Sequence, residues 1–534
     1  MIKLLLTYGK QILNRHFIAS VFFLMSILIS IIVLTSGKPV NETRPNIIFI
    51  LADDMGYSDI GCYGGEINTP NIDKLANNGI KLRNFYNNGR CCPTRASLLT
   101  GQYPHTVGMG DMVTQGNAKI EPGSYQGFLD KAYPTIAEEV KAVGYNTYMV
   151  GKWHVGERKE HWPLQRGFEH YFGLISGASS YFELLPEKQK RYMALDDQEY
   201  TPPKEGFYMT DAFTDHAIQY LDQQKQQNNN PFFLYVAYTA PHFPIHAYET
   251  DIVKYEKLYE QGWDITREKR FQKMRLLGLA DKRYQLPERP SDIQEWTKVV
   301  DKKTWVRKMA VYAAMIDRMD QNIGRLINTL IANKQLDNTV IMFLSDNGGC
   351  AENMDSRKLN DPTKKIGERG SYVTYDFPWA NVSNTPFRKY KKYTHEGGIV
   401  TPFIIQWPAK IKAGIGYKDE IGNVIDLLPT SLELAGAKAK NLPGESLSTL
   451  WNGTKQKART IYWEHEGNKA IRIGNWKLVK DLEDPAWELY NLSIDPCELK
   501  NLASTNEQRV TEMISAYSAW AKKVNVREWT IASE

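Results

Sequence analysis

Asn46-Ile47-Ile48-Phe49-Ile50-Leu51-Ala52 runs straight into Asp53-Asp54, and this junction governs the reading of the chain. A short apolar run with no alternation marks a strand buried on both faces, as in a parallel sheet covered by helices. Outward from it, residues 147–150, 232–238, 340–344 and 403–407 repeat the pattern, with helical stripes between them. One stripe (Ile136, Val140, Val143) starts near Pro134, a residue suited to a first helical turn. A second carries Phe213, Ala217, Tyr220 and Leu221. The longest spans 305–332, with Tyr312, Met315, Met319, Ile323, Leu326 and Leu330 spaced as a core face. Alternation of this kind predicts an α/β fold with a large, mostly parallel central sheet.

Polar residues fall where such a sheet would use them. Asp53-Asp54 follow the first strand, Lys152 and His154 the 147–150 run, His242 the 232–238 run, and Asp346-Asn347 the 340–344 run. Ligands of open α/β sheets bind beyond the carboxyl ends of the strands. Asp53, Asp54, Asp346 and Asn347 offer hard oxygen donors, which suit Ca²⁺ or Mg²⁺ rather than zinc or copper. Taken singly, Asp-Asp-Met-Gly and Asp-Asn-Gly-Gly would read as turns. Their shared position at strand ends favours a site.

Between the first two groups lies Cys91-Cys92-Pro93-Thr94-Arg95-Ala96-Ser97-Leu98-Leu99-Thr100-Gly101. Pro93 fits a first helical turn, which places Cys91 at a helix N-terminus, where free N–H groups favour an anion, and turns Arg95 toward the same spot. A Cys-x5-Arg phosphatase loop is excluded, since only three residues separate Cys91 from Arg95.

The Cys-x-Pro-x-Arg run resembles the modification signature of type I sulfatases, most closely the bacterial arylsulfatases. Gly151-Lys152-Trp153-His154, Pro241-His242-Phe243-Pro244 and Lys391 ahead of Glu396-Gly397-Gly398 are similar to further segments of that family. So are the Asp317/Asp320 helix, Asn384-Thr385-Pro386-Phe387-Arg388, Trp463-Glu464-His465-Glu466-Gly467 and Leu489-Tyr490-Asn491. Cys92 departs from the usual pattern, but only Cys91 has Pro93 and Arg95 in register.

The resemblance implies an alkaline-phosphatase-like α/β sandwich and hydrolysis of sulfate monoesters to alcohol and inorganic sulfate. Cys91, oxidised to Cα-formylglycine by a maturation enzyme, would act as its hydrate through a sulfated-enzyme intermediate. The implied metal set is Asp53, Asp54, Cys91, Asp346 and Asn347, holding Ca²⁺ or Mg²⁺. Arg95, Lys152 and Lys391 would neutralise the sulfuryl oxygens. His242, with Lys391, would protonate the leaving alcohol, and His154 would take the proton that expels sulfate. A phosphonate or phosphate ester hydrolase on the same scaffold, or a catalytically silent sulfated-glycan binder, are the alternative readings.

Length and composition add bounds. The 534 residues predict an N-terminal segment 1–37, a catalytic α/β domain 38–435 and a C-terminal α+β domain 436–534. The last follows a Gly/Ala/Lys linker and carries strands near 460–463, 469–473 and 476–480 with a helix over 506–524. A net charge of +5 is too small to argue for nucleic acid; a sulfated small molecule or saccharide is the expected partner. Residues 17–35 are almost wholly apolar behind Lys3, Lys10 and Arg15, which predicts export, with cleavage near Ser36 or Gly37 favoured over an uncleaved anchor. Cys62, Cys350 and Cys497 read as buried small hydrophobes, with one disulfide among them left open. Of the histidines outside the matched motifs, His246 and His395 lie close to matched segments, which leaves a place at the pocket rim open for them. Segment 249–295 reads as an insert near the substrate side, its Tyr255, Tyr259, Trp263 and Tyr284, with Trp296 next in sequence, either stacking on sugar rings or packing the insert.

Overall fold

In a computed structural model, described for residues 44–530 apart from 115–118, 186–189, 228–229, 356–358, 439 and 485, the first strand lies at the centre of a ten-stranded sheet. The apolar run 17–35, and the export and anchoring expectations placed on it, lie outside the described residues. Among those described, no helix is long and apolar enough to cross a membrane.

In chain order the strands of this sheet are β1 (Asn46–Ala52), β2 (Ile80–Tyr86), β3 (Asn146–Gly151), β4 (His170–Leu174), β5 (Met193–Leu195), β6 (Gln198–Tyr200), β7 (Phe232–Ala237), β8 (Thr339–Ser345), β9 (Phe403–Gln406) and β10 (Tyr417–Asn423). Their spatial order is β10-β2-β9-β8-β1-β7-β3-β4-β5-β6. The central block β8-β1-β7-β3-β4 is parallel throughout. β9 runs antiparallel to both of its neighbours, and β5 and β6 close the far edge as an antiparallel hairpin. The sheet is therefore mixed, with parallel pairing concentrated where the site lies.

Both faces of β1 are covered, which explains its unbroken apolar sequence. Ile48 and Ile50 pack in one core with Tyr312, Met315, Met319 and Ile323 of the Lys302–Ala332 helix. Ile47, Phe49 and Leu51 point into the opposite core, with Leu98 and Leu99 of the Cys91–Thr100 helix and Val140 of the Ile136–Ala142 helix. Each such buried side chain contributes about 1.5–3 kcal/mol. The latter helix starts two residues after Pro134, because Thr135 and Glu138 form a reciprocal capping box.

Segment 249–295 is an insert, but its aromatics are not a sugar platform. Tyr255, Tyr259, Trp263, Tyr284 and Trp296 are all buried. Trp263 meets Trp296, Trp305 and Trp379 edge-on, so these rings fasten the insert to the body.

Residues from Pro45 onward form one compact unit. Within it, β11 (Thr460–His465), β12 (Asn468–Ile473), β13 (Trp476–Lys480) and β14 (Glu488–Asn491) make a separate antiparallel sheet. The Glu507–Lys523 helix covers one face through Met513, Tyr517 and Trp520. On the other face, Trp463, Ala470 and Val479 join the core shared with β1.

Candidate active site

Strand ends deliver the polar groups. Past β1, the Asp54 backbone takes φ +66°, and its amide donates to Asp346 Oδ1 at 3.1 Å. The Asp346 amide in turn donates to the Ala52 carbonyl at 3.1 Å, carrying the β1–β8 pairing one step further. β3 ends at Gly151, where a Cβ would fall 1.9 Å from the Ala237 carbonyl oxygen at φ +101°. Only glycine fits that approach, and it sets Lys152 directly behind the carboxylates.

Carboxylates and cations then interlock. Lys152 Nζ lies 2.6 Å from Asp53 Oδ2, Lys391 Nζ 2.8 Å from Asp54 Oδ2, and Asn347 Nδ2 donates to Asp54 Oδ1 at 2.7 Å. Arg95 is fully buried. Its Nε and Nη2 donate to Asp346 Oδ2 at 3.2 and 2.8 Å, and its Nη1 to the Lys152 carbonyl at 3.0 Å. The guanidinium fork is thus engaged by Asp346 and the Lys152 backbone, and Arg95, like Lys152, is not among the residues that line the cavity. It is a positioning residue.

The oxygens suit a divalent cation. Ligating atoms of Asp53, Asp54, Cys91 and His242 all lie within 4.8 Å of one another. Asp53 Oδ1 and Asn347 Oδ1 are buried with no hydrogen-bond donor. Burial, with Asp53 beside it, pushes the Asp346 carboxyl up to about 7. Buried acceptors without donors are costly unless a cation takes them, and an oxygen-rich set of this kind fits Ca²⁺ or Mg²⁺.

Above this floor sits a cavity of about 140 Å³ whose walls include Cys91, His154, His242 and Lys391. Cys91 is the first residue of its helix, with Arg90 as N-cap. The two adjacent thiols differ sharply. Burial raises both, but at Cys91 the Lys152 and Lys391 ammonium groups outweigh it and bring the pKa below the ordinary thiol value. Cys92 packs into the apolar core with Leu98 and Leu99, and burial together with Cys91 pushes its thiol well up. Reactivity follows the thiolate-favouring environment.

His154 is buried at φ +52°, its amide donating to the Ile175 carbonyl at 3.1 Å. Burial first, then Lys152 and Arg95, hold its pKa well below the histidine range, so the ring is neutral near pH 7. Gly177 makes room for it: a Cβ there would meet His154 Nε2 at 2.3 Å. His242 Nδ1 lies 2.6 Å from the Phe243 carbonyl, which can only accept, so Nδ1 carries the proton. Its Nε2 then faces Asp54 Oδ2 at 3.5 Å.

Several wall residues carry no sequence signal. Arg90 pairs with Glu352 at 2.7 Å, and Arg191 and Tyr372 complete the rim from distant loops. Neither His246 nor His395 lines the cavity. His246 donates through Nε2 to the Ser371 carbonyl at 2.6 Å, and His395 is buried between Asp481 and Glu488, at 3.2 and 2.8 Å. Asp320 caps the Pro70–Asn77 helix by accepting from the Asn71 and Ile72 amides, and is structural. Cys62, Cys350 and Cys497 are buried free thiols.

A hydrolase of phosphate or sulfate esters, with a buried acidic cluster able to hold a cation, is the class this fold and site define. The sulfatase family model matches residues 45–437, and a second, described as N-sulphoglucosamine sulphohydrolase, C-terminal, matches 387–521. An uncharacterized sulfatase of Schizosaccharomyces pombe is 32% identical over 92% of this chain and 96% of its own length. The arylsulfatase of Klebsiella aerogenes is 34% identical over 80% of this chain and 96% of its own. Among solved structures, Ps i-CgsB superposes with a TM-score of 0.68 at 27% identity, over 91% of this chain and 95% of that one, and has also been solved in complex with a neocarrahexaose. The chain belongs to the sulfatase family. It is a sulfuric ester hydrolase, cleaving sulfate esters on an alkaline-phosphatase-like α/β scaffold.

Proposed function

We propose that cleavage takes place at Cys91 after its oxidation to Cα-formylglycine by a formylglycine-generating maturation enzyme, with Ca²⁺ held by Asp53, Asp54, Asp346 and Asn347. Mg²⁺ is the alternative ion. The observation that carries this reading is the separation of the two thiols. Cys91 alone stands over the carboxylates, within 4.8 Å of Asp53, Asp54 and His242 ligand atoms, at the cavity wall.

When formed, the formylglycine hydrate supplies two hydroxyls on one carbon, one to attack sulfur and one whose deprotonation releases sulfate. The ion would add Lewis-acid polarisation beside Cys91. Lys152 and Lys391 place two ammonium groups beside Cys91 to offset charge on the sulfuryl oxygens. His242, with Nδ1 fixed as donor to Phe243, is left with Nε2 to carry a proton to the leaving alcohol. Neutral His154 can accept one. Arg95 holds Asp346 and the Lys152 backbone in register.

A sulfated saccharide is the proposed substrate class. The small cavity suits the sulfuryl group, with the alcohol extending past Arg90, Arg191 and Tyr372, and the saccharide complex of the Ps i-CgsB relative supports it. The apolar run 17–35 supports action outside the cytoplasm. Sulfate release from a panel of sulfated oligosaccharides tests the reading. Wild-type protein should release sulfate from at least one, and Lys152→Ala should lower kcat by about 10²-fold or more. An unimpaired Lys152→Ala enzyme would contradict it.

A further inference from the structure

A second cavity, of about 630 Å³, lies between the 249–295 insert, the loop bearing Lys391 and the C-terminal sheet. Arg267, Arg388, Tyr390, Tyr393 and Tyr490 contribute to its walls. Arg267 projects from the Gly262–Leu276 helix and is only 7% exposed. Its Nη1 donates to the Pro287 carbonyl at 2.7 Å, whereas Nε and Nη2 are buried with no hydrogen-bond partner. No ion pair to it forms among the described residues.

One turn along the same helix, Arg270 shows what this fold does with a buried guanidinium. It is locked to Asp59 at 2.6 Å and Glu66 at 2.7 Å. The other cations of the second cavity are also engaged: Arg388 Nη1 donates to Tyr490 Oη and the Glu498 carbonyl, and Lys389 pairs with Asp481 at 3.1 Å. Arg267 alone is left, and burial draws its pKa down to about 10. A buried charge without a counter-charge is strongly destabilising. The two unused nitrogens, Nε and Nη2, form the edge of the guanidinium that grips two oxygens of one oxyanion.

We propose that this cavity is a second, non-catalytic binding site in which Arg267 receives an oxyanion, a sulfate or carboxylate, either free or carried on a sugar ring. Its volume suits a monosaccharide rather than a bare ion, and its tyrosines offer flat, amphipathic walls. Exposed Glu288, Asp292 and Glu483 at the rim oppose a densely charged polyanion and can accept hydroxyl donors. Because Lys389 and Tyr390 form part of this wall, occupancy reaches the loop that positions Lys391.

Calorimetric titration of the full chain with sodium glucuronate, sodium sulfate and uncharged glucose tests the site. Glucuronate should bind the wild type and glucose should not. Arg267→Leu should weaken glucuronate by about a hundredfold or more, the loss of the two charge-assisted hydrogen bonds from Nε and Nη2, while retaining turnover on an aryl sulfate. Sulfate separates the sources: one site fewer in Arg267→Leu assigns the free ion as a ligand, and equal stoichiometry beside a glucuronate difference assigns the sugar-borne anion. Equal binding of both probes by wild type and variant would overturn the proposal. Wild-type crystals grown with glucuronate decide the matter if the variant fails to fold. Ligand density against Arg267 Nε supports the site, and the Asp292 or Glu288 carboxylate turned onto Arg267 instead overturns it.

Discussion

Cys91 and Cys92 are neighbours in sequence with opposite surroundings, one facing two ammonium groups and the other an apolar core. Cys91→Ala should lose more than about 10³-fold in turnover with its melting temperature unchanged. Cys92→Ala should keep turnover and lose about 1–2 kcal/mol of stability, read by parallel assay and thermal denaturation. Gly177 is a residue that sequence reasoning passed over, because its importance lies in a ring 23 positions away: its missing Cβ is the space that His154 Nε2 occupies. Gly177→Ala should displace that ring and lower kcat by roughly 10²-fold with little change in KM. His154 also sets a pH dependence. Its pKa is depressed, so the neutral form persists as pH falls through about 6.5. The acid limb of kcat/KM should therefore lie below that value, and a limb centred above it would exclude His154 as the base.

Elements buried on both faces were the legible ones. β1, β3, β7 and β8 announce themselves as continuous apolar runs, and each run ends on the group it delivers. β5 and β6 were missed because three-residue strands at an exposed edge carry no periodicity, and β14 because four residues in a polar stretch resemble a loop. The antiparallel sense of β9 has no sequence mark. The aromatic insert was ambiguous for a physical reason: rings that pack and rings that stack on sugar have the same composition, and only burial separates them. Arg95 was legible as a site residue but not in its duty, since its direction depends on Asp346, far along the chain. Arg95→Lys cannot span Asp346 and the Lys152 carbonyl together. Calcium titration of chelator-treated enzyme should show affinity about 10–100-fold weaker in this variant, with activity partly restored by excess calcium.

At the scale of the whole molecule, the C-terminal sheet is tied to the catalytic body by buried charge as well as by Trp463 and its neighbours. Lys477 is fully buried between Glu396 and Glu498, each at 2.7 Å, and Glu396 begins the turn five residues past Lys391. Lys477→Met leaves two buried carboxylates facing each other and should cost about 3–5 kcal/mol, lowering the melting temperature and turnover together. The same buried seam brings the Lys391 loop under control of residues more than eighty positions downstream. These connections serve one central claim, that Cys91 is converted into the group that attacks sulfur. The mass of the tryptic peptide running from Cys91 to Arg95, taken from active protein, tests it most directly. An aldehyde in place of the Cys91 thiol, in proportion to specific activity, is the expected result; fully active protein with Cys91 unmodified would contradict it.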